Sequence, residues 1–265
     1  MSDLLLSSFR REIPAGVRAA YRGMELAESR IGAGEISAKE GRDVVTASDV
    51  AVEELVRGLL GESLGQPVVG EEQGGARPID GSGYWLVDPI CGTRNYASGV
   101  SLYSVNLAYI QGDEVAAAVV AGPSASEIFI AQRDRGAWLH KGDQLQGIRA
   151  SGRSQMIVVE DVQAKGARRA QAADFIAAVI RADRWDFRTF GTTLSLPYLA
   201  AGRIAACGLF STSAVHSAAG SLLVTEAGGV VTDVDGKPWT IASSTMLASA
   251  NQDLHDELLE LRGPR

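Results

Sequence analysis

The sequence predicts a layered α/β fold, and three observations predict it. Apolar residues recur at helical spacing near the N-terminus, short apolar runs closed by turn residues fill the stretch from Pro67 to about residue 140, and strand-like and helix-like segments alternate from about residue 150 onward. Leu4, Leu5, Phe9, Ile13, Val17, Ala20, Tyr21 and Met24 predict a helix within 3–30, with Pro14 as a break or kink. Val52, Leu55, Val56 and Leu59 predict a second helix, with Ser48 as its N-cap, and Lys39 to Thr46 read as a loop or short strand between the two.

Val68-Val69 and Trp85-Leu86-Val87 read as buried strands whose ends deliver acidic residues, and further strands are expected at 101–110, 115–121, 127–131 and 136–139. The later elements are strands at 156–160, 185–189, 203–207, 230–232 and 245–249, and helices at 167–181, 193–201, 216–227 and 252–261. This organisation suggests an N-terminal α+β subdomain over 1–150 and a C-terminal α/β subdomain over 151–265, tightly packed, with no repeat or flexible linker.

Bulk properties exclude several function classes. The net charge is −7 and no long basic run occurs, which argues against a nucleic-acid surface. The two cysteines, 91 and 207, lie far apart, so a disulfide framework is not expected and a reducing compartment is. The opening MSDLLLSSFRREIPAG lacks the layout of a signal peptide, and no apolar run reaches the ~20 residues that span a bilayer, so a cytoplasmic protein with no membrane partner is expected.

The chemistry concentrates in carboxylates at element ends. Asp49 begins a helix, Glu71-Glu72 follows a strand, and Asp88 is read as the end of another; oxygen ligands of this kind suit a hard divalent cation. Any one of them alone is as well explained as a solvated acid or helix cap. Asp88-Pro-Ile-Cys-Gly-Thr-Arg-Asn95 is more informative, because Pro89 and Gly92 suggest a tight turn directly after a buried strand. A helix starting near Thr93 would offer free N–H groups to an anion beside those carboxylates, and Thr93 could hold an attacking water if Asp49 lay within reach.

Four ordered segments carry a resemblance to a known family: Asp43-Val-Val-Thr-Ala-Ser-Asp49, Gly70-Glu-Glu72, Trp85-Leu-Val-Asp-Pro-Ile-Cys-Gly-Thr-Arg-Asn95, and His216-Ser-Ala-Ala-Gly-Ser-Leu-Leu-Val-Thr-Glu-Ala-Gly-Gly229. Gly136-Ala-Trp-Leu139 and Phe190-Gly-Thr192 add to it. Over nearly its whole length the chain resembles the inositol monophosphatase family of Mg²⁺-dependent, lithium-sensitive phosphatases. The resemblance implies an α/β/α/β/α sandwich, a homodimer, and a hydrolase of small phosphorylated metabolites, that is, a phosphoric monoester hydrolase. It implies that Glu71, Asp88 and the Ile90 carbonyl hold a first Mg²⁺, that Asp49 and Thr93 activate water with Glu71 beside them, and that Gly92 and Thr93 cradle the phosphate. Lys39 lies near a family lysine that approaches the site, Glu72 is expected to be structural, and Arg94 is a further phosphate-contact candidate or else a surface arginine.

Two positions depart from the pattern. The family has Asp-Pro-(Ile/Leu)-Asp-Gly-Thr and Trp-Asp-x-Ala-Ala-Gly, whereas this chain has Cys91 at the second aspartate and Val215-His216 for Trp-Asp. The second metal site thus becomes Asp88, Cys91 and His216. Three readings stay open: loss of the second Mg²⁺, a site retuned for Zn²⁺ or another transition metal, or a first metal sufficing with His216 as an acid or phosphate contact. If turnover is lost, the chain would instead be a family-derived protein that binds an anionic ligand or performs different chemistry. Leu209 to Ala214 carries no acid where the family places one facing substrate, which argues against a polyol substrate. Cys207, Trp185 and Trp239 are expected to pack rather than to bind ligand, His140 and His255 to lie at the surface or to pack, and Gly228-Gly229 to end a helix.

Overall fold

The computed structural model describes residues 6–32, 37–38, 44–123, 127–160 and 164–262. In chain order, helix α1 (Glu12–Glu28) and the two-residue strands β1 (Ser37–Ala38) and β2 (Val44–Val45) precede α2 (Ala47–Leu64). Strands β3 (Val68–Gly70) and β4 (Tyr84–Cys91), helix α3 (Thr93–Ala97), and strands β5 (Ser104–Gln111), β6 (Glu114–Ala121), β7 (Ile128–Gln132), β8 (Gly136–Lys141) and β9 (Gln144–Ile148) follow. The remainder is β10 (Met156–Glu160), α4 (Gly166–Arg181), β11 (Asp186–Arg188), α5 (Ser195–Ala200), β12 (Ala206–Leu209), α6 (Ala214–Glu226), β13 (Val230–Thr232), β14 (Met246–Ser249) and α7 (Gln252–Leu261).

Strands β3 to β9 form one sheet in sequence order, with β3 parallel to β4 and every later pair antiparallel. A second sheet has the order β11-β10-β12-β14-β13, parallel across β11-β10-β12 and antiparallel beyond. Apolar side chains fill the gaps between layers. Ile13, Val17, Met24, Val52 and Val56 of α1 and α2 pack on Trp85, Val87, Leu107 and Val119 of the large sheet. Its other face, with Tyr84, Leu86 and Ala118, meets α5 and α6, which in turn cover Val158, Cys207 and Met246 of the second sheet. Phe175, Val179 and Leu258 of α4 and α7 close the far side. The layers therefore run α/β/α/β/α, as the resemblance implies.

The elements differ from the sequence expectation where local rules compete. Pro14 neither breaks nor kinks α1, because it falls in the first helical turn, where backbone N–H groups have no intrahelical partner. Helix α2 is capped by Thr46 rather than Ser48: Thr46 Oγ1 accepts from Ser48 N at 3.2 Å while Asp49 Oδ2 accepts from Thr46 N at 2.9 Å. The edge strand β9, among the described residues, was not expected from the sequence, and its mostly exposed Gln-Leu-Gln-Gly-Ile explains why. No described helix is long and apolar enough to cross a membrane.

Candidate active site

Asp88 does not end its strand. Strand β4 continues through Pro89 and Ile90 to Cys91, all eight residues buried, and the turn comes only at Gly92. Asp88 pairs with Asn106 and Cys91 with Ser104, so three steps on β4 match two on β5. One residue is extra, which defines a bulge, and Pro89 falls within it, where its missing N–H is tolerated. In a regular strand residues three apart face opposite sides. The bulge removes that opposition. Ile90 joins the core under α1 and α2, while Asp88 and Cys91 both turn toward α6.

Beyond the bulge the chain must turn sharply. Gly92 has φ +101°, a region costly for residues with a side chain, and a Cβ there would lie 2.8 Å from the Leu102 carbonyl oxygen and 3.0 Å from Thr192 Cβ. The short helix α3 starts at Thr93, whose hydroxyl lies 3.0 Å from Asp49 Oδ1 and 3.1 Å from the Ile90 carbonyl oxygen. Asp49 also accepts from Thr46 Oγ1 at 2.6 Å. Burial lifts the Asp49 carboxyl above the ordinary carboxylate range, against the pull of the Thr46 and Thr93 hydrogen bonds, and the Asp88 charge adds to the rise.

His216 enters from the first turn of α6, the helix sandwiched between the two sheets. Its Nδ1 lies 2.9 Å from Asp88 Oδ2 and 3.8 Å from Glu71 Oε2. Burial opposes charge on the ring, but hydrogen bonds to Asp88 and Cys91, with the charges of Asp88 and Glu71, push it well above its usual value. The Cys91 thiol is raised by burial and by Asp88. Ligand atoms of Asp88, Cys91 and His216, an oxygen, a sulfur and a nitrogen, all lie within 4.8 Å of one another. Asp88 is fully buried, and its second oxygen, Oδ1, has no hydrogen-bond partner among the described residues.

The structure thus brings together Asp49, Glu71, Asp88, Ile90, Cys91, Gly92, Thr93 and His216. Arg94 sits exposed on α3, and Lys39 lies outside the described residues. Cys207, expected to pack, is fully buried with Ser195 Oγ 3.1 Å from its sulfur, and burial pushes its thiol far up. His140 and His255 are likewise buried away from the site.

Several contributors were given no role by the sequence, although Phe190-Gly-Thr192 belonged to the resemblance. Thr193 donates its N–H to Cys91 Sγ at 3.2 Å and its hydroxyl to the His216 carbonyl at 3.0 Å, while Asn106 Nδ2 donates to that hydroxyl at 3.0 Å. Thr192 Oγ1 donates to the Cys91 carbonyl at 2.8 Å. The buried Glu160 carboxylate holds this segment from behind, accepting from Phe190 N at 2.9 Å and Gly191 N at 2.8 Å. The adjacent threonines after Gly191 were visible in the sequence, but only the fold places them against a strand about a hundred residues earlier.

Comparisons with known proteins bear on the family and the fold. The family model described as the inositol monophosphatase family matches residues 10–264. An inositol-1-monophosphatase from Caulobacter vibrioides is 27% identical over 248 residues, covering 92% of this chain and 96% of the relative. The inositol-1-monophosphatase ImpA of Mycolicibacterium smegmatis is 32% identical, with 84% of this chain and 81% of the relative covered, and the Nus factor SuhB of Escherichia coli K12 is 31% identical, with 84% and 88% covered. Among solved structures, the suppressor protein suhB of Bartonella henselae superposes with a TM-score of 0.85 at 25% identity over 94% of this chain and 97% of that one. The Thermotoga maritima IMPase gives 0.82 at 24% identity over 98% and 97%, a likeness of fold. With a five-layer sandwich, an Asp49–Thr93 pair beside Asp88, and a family match spanning nearly every residue, the chain belongs to the inositol monophosphatase family.

Proposed function

We propose that this protein hydrolyses a small-molecule phosphate monoester using a divalent cation at Glu71, Asp88 and the Ile90 carbonyl, beside a second site rebuilt from Asp88, Cys91 and His216. The observation that carries the proposal is Asp88 itself. A fully buried carboxylate with one oxygen on His216 and the other without a partner among the described residues is costly to keep unless a cation completes it. The residues present fit such a group. Glu71, Asp88 and a main-chain carbonyl offer the all-oxygen set that suits Mg²⁺, and the mixed set of Asp88, Cys91 and His216 suits Zn²⁺ or another borderline metal.

A bound divalent cation would polarise the phosphoryl oxygens and offset their developing charge. The remaining work falls to the chain. Thr93 donates to Asp49, which leaves a lone pair on its hydroxyl to orient an attacking water. The water proton then passes to the Thr93 hydroxyl as that hydroxyl's own proton moves to Asp49, whose burial raises its affinity for it. The main chain at Gly92 and Thr93 faces the phosphate. The substrate is a small phosphorylated metabolite, and the absence of an acid from Leu209 to Ala214 argues against recognition of an inositol ring through a carboxylate.

The test is release of inorganic phosphate from a panel of sugar, inositol and nucleotide phosphates with Mg²⁺, Mn²⁺, Zn²⁺ or Co²⁺, alongside elemental analysis of the purified protein. No turnover anywhere on the panel sinks the proposal. A second reading draws on the His216–Asp88 contact at 2.9 Å, which fills the second site with a side chain of this protein. On that reading the protein binds an anionic ligand without turnover, and phosphorylated compounds raise its melting temperature with no phosphate released.

A further inference from the structure

We propose that Glu53 is a positioning residue that sets the geometry of Glu71, and thereby the affinity of the first cation site; this rests on the phosphatase reading above. Glu53 lies one turn after Asp49 on α2, and its side chain is fully buried. It faces no solvent. Its oxygens accept instead from the backbone N–H of Glu72 at 2.7 Å and of Gln73 at 3.0 Å, the two residues directly after Glu71.

Arg57, four residues on, ties the same turn down. It donates to Glu53 at 2.9 Å, to the Val68 carbonyl at 2.6 Å and to the Gly74 carbonyl at 2.9 Å. Gly70 supplies the room: a Cβ there would fall 2.0 Å from Glu53 Oε1. On the strand side, Glu71 N donates to the Val87 carbonyl at 3.0 Å, beside Asp88. Glu71 is therefore held between a ladder bond from β4 and a carboxylate clamp, and its own carboxylate comes within 3.8 Å of His216.

A carboxylate that is ion-paired and hydrogen-bonded, as Glu53 is, can serve simply to hold a turn. Glu226 performs that simpler task, accepting from the N–H groups of Asp134, Arg135 and Gly136 away from the site. Glu53 differs in that the turn it grips carries a cation ligand as its first residue. Groups that orient a metal ligand are worth about 10–100-fold in metal affinity.

The experiment is calorimetric titration of Mn²⁺ into metal-free protein. Glu53→Gln puts an amide N–H against a backbone N–H, so it should weaken Mn²⁺ binding about 10–100-fold. Gly70→Ala keeps the Glu53 charge but displaces it, and should weaken binding in the same direction; it carries the test should Glu53→Gln not fold. Glu226→Gln should lower the melting temperature and leave Mn²⁺ affinity at the wild-type value. Wild-type affinity in both Glu53→Gln and Gly70→Ala overturns the proposal while leaving the phosphatase reading intact, and equal weakening by Glu226→Gln also overturns it. A wild-type protein that binds no Mn²⁺ overturns the phosphatase reading, and this proposal with it.

Discussion

Asp49→Asn separates what Asp49 does for catalysis from what it does for the fold. Its Oδ2 faces Thr46, capping α2, and its Oδ1 faces the Thr93 hydroxyl. An asparagine that turns its carbonyl toward Thr46 keeps the cap, and its amide then donates to Thr93, whose hydroxyl still has the Ile90 carbonyl at 3.1 Å. Every hydrogen bond has a replacement, so the change should cost less than about 1 kcal/mol, or roughly 2–4 °C in a chain of this size. At neutral pH a second effect offsets this cost. Because burial raises the Asp49 carboxyl, the folded state binds its proton more readily than the unfolded state, and stability falls as pH climbs from the unfolded value near 3.9 through the folded one. Asparagine carries no such penalty. Catalysis has no replacement: losing the proton acceptor should lower kcat by about 10²–10⁴, or roughly 2.7–5.4 kcal/mol of barrier. The assay is phosphate release on the best substrate, paired with calorimetric melts from pH 4 to 8. A variant within tenfold of wild-type turnover would refute the assignment of Asp49 as proton acceptor, and a melting temperature lowered by more than about 10 °C would refute the bond-by-bond replacement.

Three other perturbations test separate parts of the structure. Cys91→Asp with His216→Asp crowds two further carboxylates against Asp88 and Glu71, so the variant should melt several degrees lower in chelator; Mg²⁺ at 100 times its Kd should return about 2.7 kcal/mol, and a melting temperature indifferent to Mg²⁺ would count against a metal site there. Gly92→Ala meets both a positive φ and the Leu102 carbonyl, so it should lose about 1–3 kcal/mol in thermal melts along with most turnover through the displaced Thr93; wild-type values in both would contradict the geometry. His255, buried with Ser249 and Thr232 hydroxyls each 2.9 Å from a ring nitrogen, is held by burial below its ordinary value. Its contribution should be complete above about pH 6.5 and fade as pH falls toward its folded value, so the melting-temperature gap to His255→Gln should narrow from pH 7.5 to pH 5.

How much of this was legible in the sequence depended on range. Strand β10, strand β13 and helix α7 were predicted at their observed limits, since each has a strong local period or an N-cap such as Asn251. The end of β4 was not, because the alternation through Tyr84 to Asp88 slips by one at Pro89–Ile90 and only the pairing with Asn106 and Ser104 shows it. The nearness of His216 to Asp88 spans 128 residues and was suggested by the ordered motifs, never by periodicity. Glu53, Glu160 and Thr193 stayed invisible for a different reason. Their work is hydrogen bonding to distant backbone, which leaves no repeat in the sequence, although an acid at i+4 from Asp49 and i−4 from Arg57 was a usable hint for Glu53.

Helix α6, wedged between the two sheets, has a consequence for how the molecule comes to exist. Glu71, Asp88 and Cys91 leave the ribosome long before His216, and Thr193 also follows far behind the strand it braces. A nascent chain that has completed the large sheet therefore carries Glu71, Asp88 and Cys91 with no imidazole and no second sheet over them. The contact of Asp88 Oδ2 with the His216 ring at 2.9 Å is therefore made only once α6 has docked, so the surroundings of Asp88 in the finished molecule depend on a segment synthesised 128 residues later.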